Sequence, residues 1–416
     1  MTTISRRAML RGAGAMTALA PATLKHAYSQ SGSIKIPMFY ALSGPGAVVG
    51  EPAKLGAELT AEFVNKSGGI NGRPLELMFV DDKGDPNNAV AAMREVLGQG
   101  YRLMGGILFS AQSLALLPVI TEAKAVLVGD SGTSMLLSHE QFTPYYFSGT
   151  TNDYTRAKAQ GYFAAKRFPD IQNWSAVCTD SAAYISSYQS FVRFAKEAYA
   201  AIGKQPNFAD PYRFKFGTTD YRTQLGSLAG SNVDGIWCLV SGADGLSLWQ
   251  QAASFNLGRK IKAVMDQTTD FNVARVLKKN LPPNLWTLEI SYLKPHTTDP
   301  YSKAFYDACV ARTKTNYPSG YIQYGHSVVT SIVETLKLVK DSSDTDRIIK
   351  ILETTPFKTA DGIIRYRKED HILLDDIDFA NVVPSDDAEG IRVAETLILK
   401  SEDYSPPPDP GHPFKG

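Results

Sequence analysis

Residues 34–66, IKIPMFYALSGPGAVVGEPAKLGAELTAEFVNK, decide the fold. The first part, Ile34–Tyr40, has the apolar and aromatic composition of a short strand, and Ser43–Gly46 is a turn that contains glycine and proline. In Glu51–Lys66 apolar residues recur on one helical face, which predicts a helix with a buried side. A strand, a loop and a helix in this order form half of a βαβ unit and therefore predict a parallel sheet.

The same alternation continues along the chain in two series. In the first series Leu75–Val80 is a predicted strand and Asn88–Leu97 a predicted helix, and a second series begins after Thr150. The pattern predicts an α/β fold of two doubly wound lobes with mainly parallel sheets, and ligands bind such sheets at the carboxyl ends of the strands. Further strands are predicted at Met104–Phe109, Ala125–Val128, Ser175–Thr179, Gly235–Val240, Lys262–Met265, Leu285–Ser291, Gly362–Arg367 and Ala394–Leu399.

Length and composition agree with this organisation. The chain has 416 residues, which is too many for one ordinary core and favours two lobes. Its 43 basic and 42 acidic residues balance, so the charge favours neither a nucleic acid nor an anionic membrane as a partner. Beyond the N-terminal region no run of about 18 apolar residues would span a bilayer.

The two ends of the chain need separate treatment. Arg6 and Arg7, followed by the weakly apolar stretch 12–22, have the layout of a twin-arginine export signal, with a merely basic, flexible N-terminus as the alternative. We therefore predict a signal peptide over 1–31 and a periplasmic location. At the other end, 401–416 contains three consecutive prolines and is predicted to be an extended, largely unstructured tail.

Metal and cofactor sites are not expected. The three cysteines, Cys178, Cys238 and Cys309, lack the spacing of a metal site and are interpreted as small buried residues, although a single Cys178–Cys238 bridge stays open. The loop 81–86 clusters three carboxylates, but Lys83 offsets their charge and the Asp-Pro pair is typical of the start of a helix.

Two motifs suggest enzymes and are weighed against their context. The glycines of 44–50 have the wrong spacing for a dinucleotide fingerprint, so we interpret this loop as a close approach of backbone to a small solute. Gly129-Asp130-Ser131-Gly132 resembles the nucleophile segment of chymotrypsin-like proteases, but the only preceding histidine, His26, lies in the export region. Ser131 and Thr133 are better interpreted as donors that hold a ligand carboxylate.

The chain resembles the Leu/Ile/Val-binding family, the solute-binding proteins of branched-chain-amino-acid-type ABC transporters, across nearly all of its mature part. The likeness rests on LSGP at 42–45 with GAEL at 56–59, on NKSGGINGRPLEL at 65–77, and on DDKGDP at 81–86. It implies a type I periplasmic-binding fold whose lobes are joined by three crossovers around a ligand cleft. The implied lobes are 34–150 plus 284–350, and 151–283 plus 351–400.

The resemblance also implies a pocket built from both lobes. Departures occur at GDSGT, 129–133, where relatives have a serine- and threonine-rich run, and at Ile185, where many relatives have glycine. These departures point away from a plain aliphatic amino acid. Tyr154 and Tyr184 are expected to close over the ligand, and Asp266 to meet an amine. The implied contacts are Ser43, Ala47, Ser110, Ala111, Gln112, Gly129, Ser131 and Thr133 from the first lobe, and Tyr154, Tyr184, Gly242, Ala243 and Asp266 from the second.

The leading hypothesis is a non-enzymatic, monomeric receptor that binds an amino acid, an amide or a small carboxylate, aromatic carboxylates included, and delivers it to an ABC transporter permease. Binding would shift an open–closed equilibrium. The rival hypotheses are an extracytoplasmic hydrolase of small amides or esters with Ser131 as nucleophile, and a ligand-sensing subunit of a signalling system. No cofactor and no nucleic acid are expected in any of these roles.

Overall fold

The structure is a computed structural model, and it describes residues 32–215, 217–240, 242–288, 298–339 and 341–414. The predicted signal peptide, 1–31, and the last residues of the predicted strand Leu285–Ser291 lie outside this part of the chain. Within the described ranges, no helix is long and apolar enough to cross a membrane.

Sixteen strands are found in the described residues, and those of the first series follow the predicted positions closely. They are β1 (Ile34–Tyr40), β2 (Leu75–Asp81), β3 (Leu103–Gly106), β4 (Val126–Gly129), β5 (Tyr146–Phe147), β6 (Asn173–Thr179), β7 (Asn207–Phe208), β8 (Tyr212–Phe214), β9 (Gly235–Leu239), β10 (Ala263–Asp266), β11 (Leu285–Thr287), β12 (Phe357–Thr359), β13 (Gly362–Tyr366), β14 (Leu373–Leu374), β15 (Asp376–Pro384) and β16 (Ile391–Lys400).

Eleven α-helices alternate with these strands over the same ranges. They are α1 (Ala47–Lys66), α2 (Pro86–Gly98), α3 (Ser110–Glu122), α4 (Asp153–Arg167), α5 (Ala182–Ala201), α6 (Arg222–Gly230), α7 (Gly242–Ala252), α8 (Phe271–Leu277), α9 (Pro300–Thr313), α10 (Tyr321–Leu338) and α11 (Thr345–Thr354).

The first lobe is built on a five-stranded parallel sheet in the order β2-β1-β3-β4-β5. Alternate side chains of β1 enter different cores: Met38 and Tyr40 pack with α1, α10 and α11, whereas Phe39 packs with α2 and α3. Both faces of the sheet are therefore covered by helices, as the near-continuous apolar strands require.

The second lobe is built on an eight-stranded sheet in the order β16-β15-β11-β10-β9-β6-β7, with β8 also paired to β6. The strands from β11 to β6 are parallel, and β15 and β16 are antiparallel additions at one edge. On one face the sheet packs against α4 and α5, and on the other against α6, α7 and α8. The predicted fold class, two doubly wound lobes with mainly parallel sheets, is confirmed.

The order of the described strands and helices requires three passages of the chain between the lobes. The first passage follows β5, the second lies between β11 and α9, and the third joins β14 to β15. The helix pair α1 and α10 shows how the returning chain completes the first lobe. A Cβ atom on Gly56 or Gly325 would collide with the backbone carbonyl of Ile322 or Ala53, so the two helices touch through bare backbone.

Three parts of the predicted organisation are corrected. β11, which the boundary at residue 284 gives to the first lobe, pairs with β10 in the second sheet. Residues 351–374, given to the second lobe, pack on the core of the first through Phe357, Ile364 and Tyr366. The tail predicted at 401–416 is not loose over 401–414, because hydrogen bonds join it to both lobes.

The open question about a cysteine bridge is settled by strand register. Cys178 and Cys238 lie on the neighbouring strands β6 and β9, but Cys238 is paired with Val177. Directly paired residues share a face of the sheet, and successive residues alternate, so the two cysteines point to opposite faces. All three cysteines are free and buried.

Candidate solute-binding cleft

Phe109 provides an apolar surface at the carboxyl edge of the first sheet, in the loop between β3 and α3. Its side chain is 38% exposed, which is unusual for a large aromatic residue in this chain. A Cβ atom on Gly46 or on Gly84 would lie 3.3 Å from Cε2 of this ring. The loops after β1 and β2 therefore need glycine to let the ring lie between them.

Ser110 joins two loops of the cleft through its hydroxyl oxygen. Its Oγ accepts hydrogen bonds from the backbone N–H groups of Thr133, at 3.1 Å, and Ser134, at 3.2 Å. A hydroxyl has two acceptor lone pairs and one proton to donate. Because both lone pairs are engaged by protein donors, the proton is left for a group that only accepts, such as a carboxylate.

The start of α3 adds backbone donors at the same place. Ser110 and Ala111 are the first residues of the helix, and Ala111 is exposed. The N–H groups of a first helical turn have no acceptor within the helix, and the helix dipole makes this end attractive to anions. The hydroxyl of Ser110 and the amides of α3 therefore form a small anion-binding arrangement beside the Phe109 ring.

Ser131 and Gly129 hold the loop after β4 in place. The Ser131 hydroxyl donates to the carbonyl oxygen of Leu108 at 2.8 Å, which ties this loop to the one after β3. Gly129 is buried under the Tyr146 hydroxyl, where a side chain would collide. A serine whose proton is given to a backbone carbonyl is not paired with a general base, so this geometry lacks the activation that a nucleophile needs.

Thr133 links the same loop to the second lobe. Its carbonyl oxygen accepts the backbone N–H of Asp153, in the first turn of α4, at 2.8 Å. Burial raises the pKa of Asp153, and a hydrogen bond with the Thr133 side chain opposes that shift. Thr133 therefore lies at the first crossover, with both its backbone and its hydroxyl used by the protein.

Ser43 lies in the loop after β1, which is organised by Asp81, and Ala47 is the first residue of α1. The carboxylate of Asp81 accepts the N–H groups of Leu42 and Lys83, each at 2.9 Å. Burial alone would raise the pKa of Asp81, but the hydrogen bonds from Ser43 and these amides lower it below its usual value. The acidic loop thus serves the fold, and Asp85 caps α2 as its sequence predicts.

Gln112 follows Ser110 and Ala111 in the first turn of α3. Its side chain is fully buried inside the first lobe, next to Asp82. Burial raises the pKa of Asp82, and the contact with Gln112 partly opposes this effect. The ligand contact of Gln112 stays a prediction.

Asp266 is also used inside the protein. Its carboxylate accepts hydrogen bonds from Trp249 Nε1 at 3.0 Å, from the Thr268 and Thr269 amides at 2.8 Å, and from the Thr269 hydroxyl at 2.8 Å. Only 1% of the residue is exposed. These partners fill the acceptor positions of the carboxylate, so the predicted contact with a ligand amine is not formed by this residue.

The remaining contacts predicted from the second lobe lie on three different helices, α4, α5 and α7. The half-buried ring of Tyr154 packs edge to face against Phe194, with centroids 4.8 Å apart, and against Phe414 at 5.3 Å. Tyr184 is half-buried in the first turn of α5, after the carboxyl end of β6. Gly242 and Ala243 begin α7 after β9, at the same edge of the sheet.

Polar contacts between the lobes were not anticipated from the sequence. In the first turn of α4, Arg156 donates to the Thr150 hydroxyl at 2.7 Å and to the Tyr324 hydroxyl of α10 at 3.0 Å. The Ser319 hydroxyl donates to Asp270, the capping residue of α8, at 2.6 Å. No local motif marks these residues, because their partners are distant in sequence.

Two doubly wound α/β lobes with mainly parallel sheets are an architecture in which ligands bind at the carboxyl ends of the strands. The sequence profile of the periplasmic binding protein family matches residues 33–388. The chain belongs to that family.

Similarity to individual relatives is lower and mostly partial. The chain is 32% identical over 112 residues to Leu/Ile/Val-binding protein homolog 3 of Brucella melitensis, covering 27% of this chain and 30% of that protein. It is 29% identical over 169 residues to Leu/Ile/Val-binding protein BraC3 of Rhizobium johnstonii, covering 41% and 45%. These alignments span less than half of the relatives' length. A longer one, to homolog 1 of Brucella abortus, covers 78% and 84% at 23% identity.

Solved structures share the fold. The branched-chain amino acid transporter substrate-binding protein LivJ of Streptococcus pneumoniae, in complex with isoleucine, has a TM-score of 0.73 at 20% identity, covering 88% of this chain and 99% of that one. A solute-binding protein of Rhodopseudomonas palustris BisB5, in complex with 3,4-dihydroxybenzoic acid, has a TM-score of 0.73 at 17% identity, covering 89% and 98%.

Proposed function

We propose that this protein is an extracytoplasmic solute-binding protein of an ABC transporter, which holds a small carboxylate-bearing solute between its lobes and delivers it to a permease. Membership of the periplasmic binding protein family supports a receptor. The twin arginines at residues 6 and 7 support export in the folded state. A monomer is proposed, since one chain supplies both sides of the cleft.

The observation that carries the proposal is the Ser110 hydroxyl. Its oxygen already accepts two backbone hydrogen bonds, so its proton is available to an acceptor, and the N–H groups of Ser110 and Ala111 begin α3 beside it. A carboxylate satisfies all of these donors at once, because it is an acceptor with two oxygens and a negative charge.

The groups around Ser110 restrict the chemical class of the solute further. The exposed ring of Phe109 offers an apolar surface to the body of the solute. Asp266 is already satisfied, so we propose Asp244, in the first turn of α7, as the partner of an ammonium group; its carboxylate accepts the Gly217 N–H at 2.8 Å. We propose an amino acid, an amide or an aromatic carboxylate, with the solved relatives that bind isoleucine and 3,4-dihydroxybenzoate as precedents for both chemistries.

Calorimetric titration of the mature protein with branched-chain amino acids, their amides and benzoates tests the proposal. We expect a carboxylate from this panel to bind, and Ser110→Ala to weaken it by roughly tenfold, because one hydrogen bond to a charged group is worth about 1.4 kcal/mol or more. Ser190→Ala, which removes an exposed hydroxyl bonded only to the Ser186 carbonyl, is the matched control. Equal affinities of the two variants for the bound carboxylate would refute the role of Ser110.

The hydrolase alternative predicts turnover of small esters or amides that Ser131→Ala abolishes. The Ser131 hydroxyl donates to the Leu108 carbonyl, which supports the receptor instead. We expect no ester hydrolysis above that of the Ser131→Ala protein. A sensing subunit would have the same cleft. Solute transport by the permease, reconstituted with this protein, distinguishes a transport role from a sensing role.

A further inference from the structure

Residues 401–414, here called the strap, leave the second sheet at the end of β16 and first contact the second lobe. The ring of Tyr404 lies 5.9 Å from that of Tyr162 in α4. The Ser405 hydroxyl lies 3.3 Å from the hydroxyl of Thr155, in the first turns of the same helix. The strap thus starts along α4, next to the first crossover.

The strap then binds the first lobe through hydrogen bonds. Arg367, in the turn between β13 and β14, donates to the Pro406 carbonyl at 2.7 Å, while the buried carboxylate of Asp370 fixes its guanidinium. Further along, the Gly411 N–H donates to the His139 carbonyl at 2.7 Å. The Phe414 N–H donates to the Glu140 carboxylate at 3.2 Å.

Phe414 is the point where the strap touches both lobes at once. Its ring lies 4.9 Å from the ring of His139 in the first lobe, at 84° to it. It lies 5.3 Å from the ring of Tyr154 in the second lobe, at 83°. Both are edge-to-face geometries, which are favourable for aromatic pairs. Any rotation of one lobe against the other changes at least one of these two contacts.

We propose that the strap is a fourth connection between the lobes, which restrains their relative rotation and thereby sets the affinity for the solute. The match to the family profile ends at residue 388, before the strap begins. Apparent affinity depends on the fraction of molecules in the binding-competent arrangement. A strap that restricts the relative orientations of the lobes changes the binding-competent fraction, although it makes no contact with the solute.

The test measures the lobe arrangement without solute. Spin labels on Leu338→Cys and Val276→Cys, exposed positions of α10 and α8, report the distance between the lobes, since the native cysteines are buried. Removing 405–416 should broaden the distance distribution, and Phe414→Ala should broaden it less. His412→Ala is the matched control, because the side chain is 68% exposed and pairs with Asp409 in the strap itself.

An unchanged distribution in the shortened protein overturns the proposal. If the shortened protein fails to fold, the Phe414→Ala variant alone tests the proposal. An unchanged distribution of label distances in this variant then overturns it. If a solute has been identified, its dissociation constant should also change by about threefold or more in Phe414→Ala and stay constant in His412→Ala. The distance measurement needs no solute, so its outcome is independent of the proposed function.

Discussion

His326 is a buried histidine whose hydrogen bonds specify one neutral form. Its Nε2 accepts the N–H of Ala360 at 2.9 Å, so this nitrogen carries no proton. Its Nδ1 lies 2.7 Å from the Thr60 hydroxyl, which itself donates to the Gly56 carbonyl. Nδ1 is therefore the donor to Thr60, and the ring connects α1, α10 and the turn after β12. Burial lowers the pKa of His326 to about 3.

This pKa predicts an acid-dependent loss of stability. An unfolded histidine binds a proton near pH 6.5, and the folded one only near pH 3. The unfolded chain therefore binds more protons in this window, and the free energy of unfolding falls by roughly 1.4 kcal/mol per pH unit from this group as pH drops. Urea unfolding at pH 7 and pH 5 should show a smaller fall for His326→Gln than for the unmodified protein. Identical falls would contradict the assignment.

Individual site residues were only partly predictable. The resemblance gives positions along the chain, and it brings Ser110, Ser131 and Thr133 to adjacent loops, as parallel strand ends require. It does not give side-chain direction, because direction depends on packing partners from distant segments. The sequence does not reveal that Gln112 is buried beside Asp82, or that Asp266 accepts a hydrogen bond from Trp249.

At the scale of elements, the contact between α1 and α10 depends on glycine. A Cβ atom on Gly325 would collide with the Ala53 carbonyl. We expect Gly325→Ala to lower the free energy of unfolding by about 2–3 kcal/mol, since helices forced apart lose close packing. Gly98→Ala, at the end of α2 with open space around the added carbon, is the control and should be neutral or stabilising by up to about 1 kcal/mol. Urea unfolding of both variants decides, and equal effects would refute this account.

Periodicity predicted most elements of the first series but not all of their ends. The strand predicted over Met104–Phe109 stops at Gly106, because Gly106 and Ile107 have φ values of +100° and +71° and leave the extended region. The turn directs Phe109 and Ser110 to the cleft. β15 was not predicted. It begins with two aspartates, Asp376 and Asp378, which are not typical of a strand that is paired on both sides.

For the whole molecule, the positions of the three cysteines predict a protein without disulfides. All three thiols are buried, and Cys178 and Cys238 point to opposite faces of the second sheet. A thiol reagent should label none of them in the folded protein and all three after denaturation, before any reductant is added. The midpoint of thermal unfolding should not change with reductant. Fewer than three thiols in the denatured, unreduced chain would contradict the strand register.

The three passages between the lobes have a consequence for synthesis. Neither lobe is one continuous stretch of chain: α9, α10 and α11 return to the first after the second has begun, and β15 pairs with β11 only after that return. A ribosome must therefore have released residues up to β14 before the first lobe can be completed and up to β16 before the second can, and pairings so distant in sequence form slowly. Neither half can be produced by cutting the gene once, and nascent chains with unfinished sheet edges are the species that chaperones have to protect from aggregation.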